Sequence, residues 1–170
     1  MTWLLRSSPL DPRTLFWVKY WVGTVPLLLV ALPLIVVTNL LLEVSPFLMV
    51  VSTVTMIGAT LTFTAMALAF GALFPNYETE NPAEIPTSFG GLIFMMAAVA
   101  YLAVVIVLEG WPMYLFLQAR LEGVPFREAG LVPLTIGFGG ALALTVTAVA
   151  MSLRAGVSRI RDAEAITGEG

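Results

Sequence analysis

The sequence predicts an all-α, polytopic membrane protein with four transmembrane helices and shorter interfacial helices at their ends. Three observations carry that expectation. Apolar residues make up 59% of the 170-residue chain and charged residues 11%, against roughly 45–50% and about 25% in soluble domains. The excess is gathered into four blocks, Tyr20–Leu42, Phe47–Phe74, Gly91–Leu108 and Leu131–Leu153, each near the roughly 20 residues that cross about 30 Å of hydrocarbon. Between the second and third blocks lies Gly71–Gly91, where Glu78, Glu80 and Glu84 have no Lys or Arg beside them and Pro75, Pro82 and Pro86 interrupt any helix. A segment that cannot enter hydrocarbon, set between two that can, makes a membrane hairpin.

Taken in order, residues 1–19 alternate Trp3, Leu4, Leu5, Leu10, Leu15, Phe16 and Trp17 with Arg6, Asp11, Arg13 and Lys19. Asp11 before Pro12 is a helix-start signal. The segment reads as lying along a membrane surface on the cytoplasmic side, with Trp17, Tyr20 and Trp21 at headgroup depth; an unstructured terminus is the competing reading. In the first span, Pro26 and Pro33 share one side, and Asn39 is expected to face another helix, since an amide in hydrocarbon seeks a partner. Glu43-Val-Ser-Pro46 is a tight turn that makes spans one and two antiparallel.

In the second span Gly58, Thr62, Ala65, Ala69 and Ala72 recur at steps of four, three, four and three, a helix-packing stripe of small side chains where another backbone can come close. Ser52, Thr55 and Thr60 leave a second reading open, a polar path through the membrane. In the acidic link, Asn81, Pro82 and Glu84 fit a capping box that starts a short helix. Span three is expected to end at Leu108, before Glu109-Gly-Trp-Pro112. Residues 113–130 then read as an interfacial helix, too charged to cross. Gly137-Phe-Gly139-Gly140 in span four lacks the third glycine and preceding strand of a dinucleotide fingerprint and reads as packing. Residues 154–170 form a polar cytoplasmic tail.

The remaining composition excludes much chemistry. There is no histidine and no cysteine, so the usual general base, the usual zinc ligand and disulfides are missing. The three link glutamates lack calcium-loop spacing, so no metal site and no cofactor are expected. Eight basic residues, split between the termini and one loop, make no nucleic-acid stripe. The single lysine, Lys19, is in no P-loop setting, and no catalytic constellation exists, so the chain is not expected to be an enzyme. Spans two to four hold no ionisable residue that could run a proton relay. Arg6, Arg13, Lys19, Arg154, Arg159 and Arg161 fall on one side and only Arg120 and Arg127 on the other, which puts both termini in the cytoplasm.

Two stretches resemble a family. Residues 4–19, LLRSSPLDPRTLFWVK, look like the segment that enters the third membrane helix of ABC-2 type permeases. Residues 73–91, Leu73-Phe74-Pro75 through Ser88-Phe-Gly90-Gly91, are similar to the cytoplasmic link between the fourth and fifth helices of bacterial ABC-2 exporters. The resemblance covers nearly the whole chain and implies the last four of a usual six helices. It implies a permease part of an exporter in the inner membrane of a bacterium, driven by a separate ATPase subunit and completed by a further permease chain or the two missing helices. Pro9, Leu10, Arg13 and Lys19 would then contact the ATPase; Arg13 and Lys19 as plain headgroup anchors are the alternative. The reading set against the permease is a non-transporting four-helix membrane scaffold or assembly protein.

Overall fold

The computed structural model describes residues 12–74, 88–121, 123 and 131–168. Among these residues there are four helices and no strand: α1 (Pro12–Leu41), α2 (Pro46–Leu73), α3 (Phe89–Leu121) and α4 (Leu131–Gly168). All four are long and apolar enough to cross a membrane. The all-α expectation holds.

The helix ends differ from the apolar blocks. α1 begins at Pro12, so Arg13 and Lys19 belong to the same helix as the first span. Proline suits that first position because its missing N–H has no partner there in any helix. α3 does not stop at Leu108 but continues through Pro112 to Leu121. One proline removes one hydrogen bond and bends a helix without ending it when the freed groups are accommodated. α4 runs on past Arg154 to Gly168, since Ala, Arg and Glu along the tail are good helix formers. The interfacial helix expected over 113–130 is in its first part the end of α3; residues 122 and 124–130 lie outside the described residues.

The chain divides into two compact units, Met1–Pro75 with Ser152–Gly170, and Asn76–Met151. In the first, α1 and α2 run antiparallel, because Tyr20 reaches Leu61 and Asn39 reaches Ser52. Their junction is a Schellman-type cap. The Val44 amide donates to the Asn39 carbonyl at 3.1 Å and the Glu43 amide to the Leu40 carbonyl at 3.2 Å, the two bonds that satisfy a helix's last carbonyls. That motif needs a left-handed residue, and Glu43 supplies it at φ 49°. A side chain there costs roughly 1–2 kcal/mol, against the ~0.5–1 kcal/mol entropic disadvantage of glycine. Glu43→Gly is therefore expected to stabilise the hairpin by about 0.5–1 kcal/mol, read as a higher unfolding midpoint in detergent.

In the second unit, α3 and the part of α4 up to Met151 are also antiparallel. The Tyr101 and Thr145 hydroxyls lie 2.9 Å apart, and Tyr101, Val105, Leu134 and Ala141 are buried. Farther along, Gly137 sits where an added Cβ would fall 2.5 Å from both the Leu108 carbonyl oxygen and Cγ of Pro112. The oxygen is the one a proline at 112 leaves without its helical partner. With no side chain at Gly137, α4 can come close to that oxygen. Pro112 of α3 and Gly137 of α4 thus meet at one close contact.

Candidate functional site

α1 presents Phe16, Tyr20 and Thr24 at helical spacing, all buried. The Tyr20 hydroxyl donates to the Leu61 carbonyl at 3.3 Å, and its ring meets Trp17 and Trp21 edge-on at 5.8 and 5.7 Å. Both tryptophans and Lys19 are exposed, the arrangement of an aromatic belt with a cation beside it. Phe16 reaches α4: a Cβ on Gly156 would fall 2.6 Å from Phe16 Cζ and 3.5 Å from the Ala69 Cα. Three helices of the first unit therefore meet at Phe16, Ala69 and Gly156.

At the other end of the hairpin, the Asn39 amide donates to the Ser52 hydroxyl at 2.7 Å. Hydrogen bonds of this kind between membrane helices are worth about 0.6 kcal/mol on average and up to ~1.7. Asn39→Ala is expected to lower hairpin stability by about 1 kcal/mol, whereas Asn39→Gln should retain part of it; equilibrium unfolding in mixed micelles measures both.

On α2, Thr62, Ala65 and Ala69 of the stripe are buried, while Gly58 and Ala72 are half-buried. Thr60 and Thr64 are buried on another face, where a Cβ on Gly23 of α1 would lie 3.3 Å from Thr64 Cγ2. Of the supposed polar path Ser52, Thr55 and Thr60, the Ser52 hydroxyl donates to Met49 at 3.1 Å and that of Thr60 to Met56 at 2.8 Å; nearby, Thr62 donates to Gly58 at 2.9 Å and Thr64 to Thr60 at 2.8 Å. Such back-bonding satisfies a hydroxyl without water. Pro9 and Leu10 lie outside the described residues, as do Asn81, Pro82 and Glu84; Arg13 is in the first turn of α1, and its side chain is outside them too. Of the supposed ATPase-contact residues, Lys19 is the one whose side chain is described, and it is exposed on α1.

The contacts that sequence reasoning missed are Phe16 with Gly156 and Pro112 with Gly137. Pro112 looks like a helix stop, and Gly156 is one residue in a charged tail. The second unit also holds a cavity of about 320 Å³ lined by Val107, Leu108, Trp111, Pro112, Val132, Pro133, Ile136 and Gly137. Among the described residues no group of His, Cys, Asp or Glu could hold a metal ion.

A family profile described as "Putative ATP-binding cassette" matches residues 1–165. The chain belongs to that ATP-binding cassette family. No curated protein and no solved structure matches it. The resemblance to ABC-2 type permeases is corrected by this match, which covers nearly the whole chain and is not to a permease family; the exporter-permease function that rested on the resemblance falls with it. Apolar spans broken by an acidic, proline-rich link are a property of many membrane chains, and that order alone misassigned the family.

The family description implies a nucleotide, and the described residues of this member do not fit one. A phosphate cradle follows a strand and uses a Gly-rich loop, a lysine and free backbone amides at a helix start. No strand is present among the described residues. The one lysine, Lys19, is exposed within α1, and Gly137, Gly139 and Gly140 lie inside α4, with Gly137 closed over by Pro112.

Proposed function

We propose that this chain is a membrane-embedded, non-catalytic helical member of an ATP-binding cassette system, a scaffold or assembly component whose nucleotide is bound and hydrolysed by another chain. It sits in the cytoplasmic membrane of a bacterium with both termini in the cytoplasm, as the six-to-two distribution of Lys and Arg supports. The observation that carries the reading is the surface of the helices. Val22, Leu29, Val30, Met96, Ile106 and Val107 are each exposed, far more apolar surface than a water-soluble monomer displays. The hydroxyls of Thr60, Thr62 and Thr64 in α2, meanwhile, are satisfied within the helix. Family membership supports association with other components of an ATP-binding cassette system, and the lack of a phosphate cradle among the described residues supports a division of labour.

The test is extraction and ligand binding on one preparation. The chain is expected to leave the membrane only with detergent, to bring an ATPase subunit with it, and, once stripped of that subunit, to show no saturable binding of a fluorescent ATP analogue. Recovery in the aqueous fraction sinks the membrane placement. Saturable nucleotide binding by the isolated chain sinks the division of labour.

A further inference from the structure

We propose that the cavity beside Pro112 is a lipid site that takes one acyl chain, an inference that rests on the membrane placement above. The cavity lies between Val107–Pro112 of α3 and Val132–Gly137 in the first turns of α4, beside the close approach of Pro112 to Gly137. The lining side chains are aliphatic or aromatic and none is charged, which leaves no group to coordinate an ion or orient a phosphate, so an occupant must itself be mainly apolar.

Size and access narrow the occupant further. About 320 Å³ is at the small end of the ~300–1,000 Å³ of ligand pockets. A helix about 10 Å across is too broad to seat between two helices that meet at Gly137 and Pro112, whereas part of a thinner linear hydrocarbon chain can. Four lining residues are also on the outer surface: Val107 at 72%, Trp111 at 71%, Val132 at 66% and Ile136 at 66% exposure. The cavity therefore opens sideways onto the same surface as the lipid-facing residues, where acyl chains are the surrounding medium. Trp111 is one of these four, a residue that favours headgroup depth; the chain would enter beside it with its polar end outside.

The test uses the full chain in phosphatidylcholine nanodiscs with a palmitic acid carrying a mid-chain photoactivatable diazirine, and adducts are mapped by peptide mass spectrometry. Adducts are expected to concentrate on residues 107–112 and 132–137 and to be displaced by excess oleic acid. Filling the space with Val132→Phe or Ile136→Phe should cut them by about tenfold, the discrimination that one group's volume makes in an apolar pocket. Circular dichroism selects the variants that keep their helices; if neither does, displacement on the natural chain decides. Adducts spread evenly over Leu29, Val30 and Met96, adducts that oleic acid does not displace, or unchanged labelling of a folded filled variant overturns the site alone. Absence of adducts on every helix overturns the membrane placement with it.

Discussion

Gly137→Val is expected to be the most destabilising single change in the chain, at about 3 kcal/mol, the upper part of the range for overpacking. The obstacles to a side chain at 137 are a backbone carbonyl oxygen and a proline ring, both 2.5 Å from the new Cβ, and neither can rotate out of the way. Even Gly137→Ala should destabilise, although alanine gains about 0.8–1 kcal/mol of helix propensity over glycine. Gly139→Val is the control, since nothing lies within 4 Å of a Cβ there. Pro112→Ala should rescue part of the loss, because it removes the ring and returns the Leu108 carbonyl to its helical partner. A coupling energy of roughly 0.5–3 kcal/mol is expected from the cycle. Equal unfolding midpoints for Gly137→Val and Gly139→Val in detergent would show that α3 and α4 do not meet here.

Ala65→Leu is expected to cost about 1–3 kcal/mol, because Ala65 has no exposed surface and three added carbons must displace packed neighbours. Ala67→Leu, two residues on but exposed, should stay within about 0.5 kcal/mol of the natural chain. The pair also bears on partner association. A stripe used inside the chain is not free to bind another, so Ala65→Leu should lower the yield of folded protein before it changes any co-purification. Loss of an ATPase partner at unchanged unfolding midpoint would instead place the stripe at an intermolecular interface.

The four helices were legible because length and apolar content are properties of each segment alone. The hairpin turn was legible for a similar reason: Ser45 and Pro46 start a helix right after Leu41 ends one. What could not be read was where a helix ends when its fate depends on a distant residue. Pro112 reads as a stop, yet its ring packs over Gly137, and α3 carries on. The stripe on α2 follows from spacing, but the partner of Ala69 is Gly156, which is far away in sequence and has no signature of its own. Family membership was the least legible, since the ABC-2 resemblance rested on residues 4–19 and 73–91, most of them outside the described structure.

Asn39 ties two structures into one. Its carbonyl closes the cap through Val44, while its side-chain amide holds Ser52 on the facing helix. Neither bond can open without slackening the other, so residues 39 to 52 should exchange their amide hydrogens with deuterium as a single block rather than fraying inward from the turn. A connection only a few residues long then acts as a rivet, and the end of the hairpin most exposed to solvent is among the last parts of it to come apart.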